Sequence, residues 1–100
     1  MKAKAKSLLN YNPFWVAGKV GSTGSILRSQ VKNGFTVTKT GTGQYTITFA
    51  VAHPSANNIV SLTAHGYVYL ASASATSFAA VLKNFAFELA DQPFHFTVLA

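Results

Sequence analysis

Glu88 and Asp91 are the only acidic side chains in the 100-residue chain, and three positions separate them. Paired carboxylates can divide general-acid and general-base work when their surroundings separate their pKa values, and a glycosidase would need both. This pair flanks the Ala90-Asp91-Gln92-Pro93 loop, where capping a turn or meeting a lysine is the simpler role. His53, His65 and His95 lack the His-x-His and His-x-x-x-His spacings that gather ligands on one element, so no metal centre is expected within one chain. A three-fold axis could still collect one His95 from each of three copies. The plainer reading is a solvent-facing histidine between Phe94 and Phe96. No serine stands in a Gly-x-Ser-x-Gly elbow with an acid placed to complete a triad. Gly41-Thr42-Gly43 reads as a hairpin turn because no helix follows it. Without cysteine there is no thiolate, disulfide framework, zinc finger or iron–sulfur site. The expectation is a protein with no catalytic residues, no metal and no cofactor.

Recognition is better supported than catalysis. Tyr67 and Tyr69 share one face of a strand that follows Gly66, and their rings could meet a sugar or a partner. His53 and Asn57, in the loop His53-Pro54-Ser55-Ala56-Asn57-Asn58, are the other candidates for that surface. Trp15 has a flat face too, but its apolar neighbours point to burial. Phe85, Phe87, Phe94 and Phe96 crowd twelve residues. Ordinary core packing accounts for all four; the alternative is that alternate members reach a subunit interface.

The elements that must position these residues read as strands. Phe35-Thr36-Val37-Thr38 and Tyr45-Thr46-Ile47-Thr48-Phe49 alternate apolar and threonine side chains, the period of a half-buried strand. The turn sequence Thr40-Gly41-Thr42-Gly43 joins them. Alternation puts Tyr45, Ile47, Phe49 and Val51 on the core face. Further strands are expected at 13–20, 25–28, 59–65, 67–71, 76–83 and 94–99. Residues 72–75 read as a turn or a strand bend. Residues 77–89 are alanine-rich and free of glycine and proline, which admits a helix, but Phe78, Val81, Phe85 and Phe87 favour strand. About eight short strands at roughly ten-residue spacing mark an all-β sandwich or barrel. The expected organisation is a basic N-terminal arm over 1–11 and one antiparallel β-sandwich, jelly-roll-like, over 12–100.

Composition sharpens the functional classes. Charged residues are 10% of the chain and apolar residues 49%, against a usual charged share of about 25%. Disorder, which combines low hydrophobicity with high net charge, is excluded. No apolar run approaches the roughly 20 residues that span a bilayer. Lys2, Lys4 and Lys6 precede only Leu8-Leu9, too short for the core of a secretion signal. The net charge of +6 suggests a polyanionic partner. Lys19, Arg28, Lys32, Lys39 and Lys83 nevertheless stand singly along the chain. The concentrated charge is the Lys2, Lys4, Lys6 arm, either a solvated tail or a segment held against an acidic surface. Three phosphate contacts would give a salt slope of only about −2.7, so nucleic acid is not the expected partner. Threonine, serine and alanine on the outward faces leave edges short of the charges that normally guard them. Large apolar patches are rare on monomers, so self-association is expected, most economically as a closed homo-oligomer.

One resemblance covers the chain from Asn12 onward. Asn12-Pro13-Phe14-Trp15-Val16-Ala17-Gly18-Lys19-Val20, Gly24-Ser25-Ile26-Leu27, Gly34-Phe35-Thr36-Val37, Gly43-Gln44-Tyr45-Thr46-Ile47-Thr48-Phe49 and Pro93-Phe94-His95-Phe96-Thr97-Val98-Leu99 carry it. Together they resemble the small β-sandwich module of structural proteins from tailed phages and large aquatic viruses. The pattern is similar to the C-terminal knobs of fibre-like and collagen-like virion proteins, which are typically homotrimers. Knobs usually follow a long shaft, whereas eleven residues precede this module. The resemblance therefore implies a virion surface protein, a capsid decoration or cement component or a small tail adaptor, whose arm docks on capsid or tail proteins. It also admits a fibre tip that binds a host glycan or receptor.

Overall fold

Alternating apolar and small polar residues, broken by glycine- and asparagine-containing turns, divide the described residues into eight strands. They are β1 (Phe14–Val20), β2 (Ile26–Ser29), β3 (Phe35–Gly41), β4 (Gln44–Phe49), β5 (Val60–Ala64), β6 (Tyr67–Ala73), β7 (Ser77–Lys83) and β8 (Phe94–Leu99). The computed structural model describes residues 14–30 and 32–99. The arm with Lys2, Lys4 and Lys6, and its boundary with the sandwich, lie outside the described residues. Every strand pairing is antiparallel. Two four-stranded sheets result, in the orders β2-β1-β8-β5 and β3-β4-β7-β6. The protein is an all-β, antiparallel β-sandwich, as the periodicity predicts. β6 carries a register shift between Leu70 and Ser72 and runs on through Ala73, so the turn or bend expected over 72–75 begins only after Ala73, in the link to β7.

Each sheet turns one set of alternating side chains inward. Val16 and Val20 of β1 and Phe94, Phe96 and Val98 of β8 face Phe35, Tyr45, Ile47, Phe49, Phe78, Ala80 and Leu82 of the other sheet, and all are buried. The contact between layers is largely aromatic. Phe96 meets Phe35 edge-on with centroids 4.9 Å apart and Phe78 at 5.1 Å, while Phe94 meets Tyr45 at 5.2 Å. Such pairs contribute about 0.5–1.5 kcal/mol each beyond their buried area. Phe94 and Phe96 are therefore core residues and, contrary to the interface expectation, do not reach the surface. Both lie in the middle of the sandwich, where no neighbouring chain can touch them. Burial also pushes the Tyr45 phenol above its ordinary pKa, helped by the nearby Asp91 carboxylate; its hydroxyl donates to the Ser22 carbonyl at 2.6 Å.

Two expectations fail where alternation stops. Alternation places Val51 inward, but β4 ends at Phe49, the chain bends, and Val51 is 67% exposed. β7 likewise ends at Lys83, so Phe85 and Phe87 belong to no strand.

The β3–β4 turn depends on Gly43, which adopts φ 67°. A Cβ there would lie 2.5 Å from the Leu82 carbonyl oxygen and 2.8 Å from the Ala90 nitrogen, both backbone atoms. Left-handed geometry and steric overlap both penalise a side chain, so Gly43→Ala is expected to cost about 3 kcal/mol. Chemical denaturation checks this; a loss under about 1 kcal/mol would show that the turn adapts.

Candidate docking site

Beyond β7 the chain makes a tight loop organised by one side chain. Asn84 Oδ1 accepts hydrogen bonds from the backbone N–H groups of Ala86 (2.8 Å) and Glu88 (3.1 Å). The Asn84 N–H donates to the Glu88 carbonyl at 2.9 Å, and the Phe87 N–H donates to the Asn84 carbonyl at 3.0 Å. Asparagine is suited to this because its short amide can satisfy backbone donors a few residues ahead. The loop closes with Phe87 at φ 62°, a conformation that costs a non-glycine residue roughly 1–2 kcal/mol.

That geometry displays two phenylalanines to solvent. Phe85 and Phe87 are each 65% exposed. Tyr67, at the start of β6, stacks on Phe87 with ring centroids 4.5 Å apart and planes 13° from parallel, and meets Phe85 edge-on at 5.7 Å. His65 joins from the β5–β6 turn, its ring 5.7 Å from Phe85. Tyr69, also exposed, has the Lys83 ammonium 5.8 Å from its ring centre.

The base of the cluster is fixed by Gln92. Its Oε1 accepts from the Gly66 N–H at 2.9 Å and its Nε2 donates to the Lys83 carbonyl at 2.9 Å. One amide thus ties the turn before Tyr67 to the end of the strand before Phe85. Local geometry and tertiary bonds both hold the rings in place, which limits the ordering cost of binding.

The structure joins two groups of residues that the sequence kept apart. Tyr67, one of the two tyrosines of the expected recognition surface, packs on Phe85 and Phe87 of the expected interface, while Tyr69 meets Lys83 instead. Asn57 is exposed but sits beyond the opposite end of β5, about 17 Å away along a five-residue strand. His53 requires a correction. It is only 8% exposed and is a structural staple, not part of an open surface. Ser55 N–H donates to its Nδ1 at 3.0 Å, so Nε2 carries the proton and donates to the Leu99 carbonyl at 2.8 Å. The half-buried Trp15 stacks edge-on against it with centroids 5.1 Å apart.

The two carboxylates hold different segments. Glu88 Oε1 accepts a long hydrogen bond from Asn84 Nδ2 (3.4 Å) inside the aromatic loop. Asp91 Oδ1 accepts from the Gly43 N–H at 2.8 Å and pairs with Lys39 Nζ at 3.2 Å. Among the described residues no three His, Cys, Asp or Glu side chains gather as a metal-ligand set. No helix among them is long and apolar enough to cross a membrane. In comparisons with known proteins, no family model, no curated protein and no solved structure matches this chain.

The Gly43 N–H, followed by Lys39, holds the Asp91 carboxyl below its ordinary pKa of 3.8. A carboxylate whose folded pKa is depressed adds stability above the unfolded pKa and loses it as pH falls through the folded one. Stability should therefore decline as pH drops below about 4, and Asp91→Asn should flatten that acid limb. Urea midpoints measured between neutral and strongly acidic pH check this; an equally steep limb in the variant would place its origin elsewhere.

Proposed function

We propose that the protein is a non-enzymatic structural module that assembles as a homotrimer, each chain seating Phe85, Phe87 and Tyr67 against a neighbouring copy. The supporting observation is the exposed aromatic cluster, held by Asn84 on a loop that keeps Phe87 in a strained conformation. Backbone strain is retained where the surrounding structure enforces it, and it concentrates at functional sites. Aromatic residues are the side chains most enriched at the anchoring centres of interfaces. A patch of this kind is uncommon on a protein that remains alone. Its location on a virion, with Lys2, Lys4 and Lys6 docking on capsid or tail components, rests on the resemblance to knob and decoration modules.

The stacked Tyr67 and Phe87 rings, with Lys83 and Glu88 nearby, favour a second reading as a carbohydrate-binding fibre tip. Flat exposed rings flanked by polar groups suit a sugar face as well as a protein surface.

Light scattering on the full chain should give a mass near three times 10.6 kDa. Phe87→Gly should reduce it to one chain. The variant relieves the left-handed strain but loosens the unfolded chain, so folding stability should change by no more than about 1 kcal/mol. A core phenylalanine removed would cost about 3–5 kcal/mol. A wild-type protein that stays monomeric at high concentration would overturn the homotrimer. A monomer that binds glycans in an array through Tyr67 would establish the second reading.

A further inference from the structure

The outer face of the β2-β1-β8-β5 sheet carries a feature unrelated to the aromatic cluster. Strand register sets Arg28 opposite Lys19, Lys19 opposite His95, and His95 opposite Thr63. All four are exposed, so one residue from each strand forms a single row across the sheet. Opposed residues on antiparallel strands hold their Cβ atoms about 4.5–5.5 Å apart. The adjacent row pairs Ala17 with Thr97 and Thr97 with Ser61, and the Gln30 N–H donates to the Ala17 carbonyl at 2.9 Å. A shallow depression of about 360 Å³ is lined by Lys19, Arg28, Gln30, His95 and Thr97, with the small Ala17 leaving room in it.

Like charges directly opposite each other destabilise a sheet, and the chain's acids do not offset this pair. Asp91 is paired with Lys39, and Glu88 lies in the 84–88 loop. Guarding an edge explains a charge on β2, which is an edge strand. It does not explain Lys19 and His95, which lie on the two central strands of that sheet. An anion between Lys19 and Arg28 would turn the repulsion into attraction, with the guanidinium presenting two parallel N–H donors to a tetrahedral oxyanion.

We infer that this row is a binding site for a phosphate or sulfate group, held by Lys19 and Arg28 and flanked by the donors of His95, Gln30 and Thr97. The inference is independent of the docking reading, because it concerns the other sheet and none of the aromatic cluster.

Nuclear magnetic resonance titration of the full chain tests it, with sodium sulfate, sodium phosphate, a sulfated disaccharide and its desulfated counterpart. Sodium chloride at matched ionic strength is the reference. The oxyanions should produce saturable shifts centred on Lys19, Arg28, His95 and Thr97, and chloride and the desulfated sugar should not. Lys19→Gln and Arg28→Gln should each weaken binding at least tenfold, while Lys32→Gln, a cation outside the row, leaves it unchanged. Equal affinity for the free ion and the sulfated sugar marks a site for the group alone. Tighter binding of the sugar marks a site for its ester; both support the inference. A second readout covers variant behaviour: in low salt, Lys19→Gln should raise the melting temperature by about 2 °C through relief of repulsion. Sulfate should then stabilise the wild type more than the variant. Shifts that chloride reproduces, that spread evenly over Lys32, Lys39 and Lys83, or that persist in both variants would overturn it.

Discussion

Ring packing of Phe94 and Phe96 against the opposite sheet is the interaction on which the remainder of the molecule depends. Facing sheets stand about 10 Å apart, which leaves space for one interdigitated layer of side chains. Phe96 alone touches Phe35 and Phe78, and Phe94 fills the space beside Tyr45. β8 lies between β1 and β5 in its sheet, so these two rings join the layers near the centre of the sandwich. With that layer filled, the other two phenylalanines of the C-terminal region have no place inside. The Asn84 loop turns them outward and Tyr67 stacks on them.

Charge scarcity shapes the surface as aromatic packing shapes the core. Two acids serve eight bases. Asp91 secures the β3–β4 turn from the far side of the chain, and Glu88 helps close the aromatic loop. The other cations are left to the surface. The outward faces of β3, β4 and β7 are mostly threonine, alanine and serine, whereas the outward face of the β1 sheet gathers Arg28, Lys19 and His95. The molecule thus presents an aromatic end, a neutral face and a basic face. These differ in chemistry enough to engage different partners.

The strands were legible because alternation and turn residues agree: threonine alternating with apolar side chains over 35–49, with glycines at the turn, allows little else. The core set on β4 was legible for the same reason, except at Val51, where the strand ends before the pattern does. The fate of the four C-terminal phenylalanines was not. Phe85-Ala86-Phe87 and Phe94-His95-Phe96 have the same spacing, so alternation alone does not separate them. Asn84 was the available signal, since asparagine before a short apolar run favours a turn over a continuing strand. The proline and asparagine of its loop mark His53 for the surface; its bond to Leu99 spans 46 positions and leaves no local trace. Lys19, Arg28 and His95 are scattered in sequence and become neighbours only through strand register.

The proposed trimer requires that the outward aromatic rings be covered by neighbouring copies of the chain. Hydroxyl-radical footprinting over a dilution series measures that coverage residue by residue. Phe85, Phe87 and Tyr67 should be protected from oxidation at high protein concentration and become reactive on dilution, while His95 reacts equally throughout. Full oxidation of Phe85 and Phe87 at every concentration would contradict the proposed trimer.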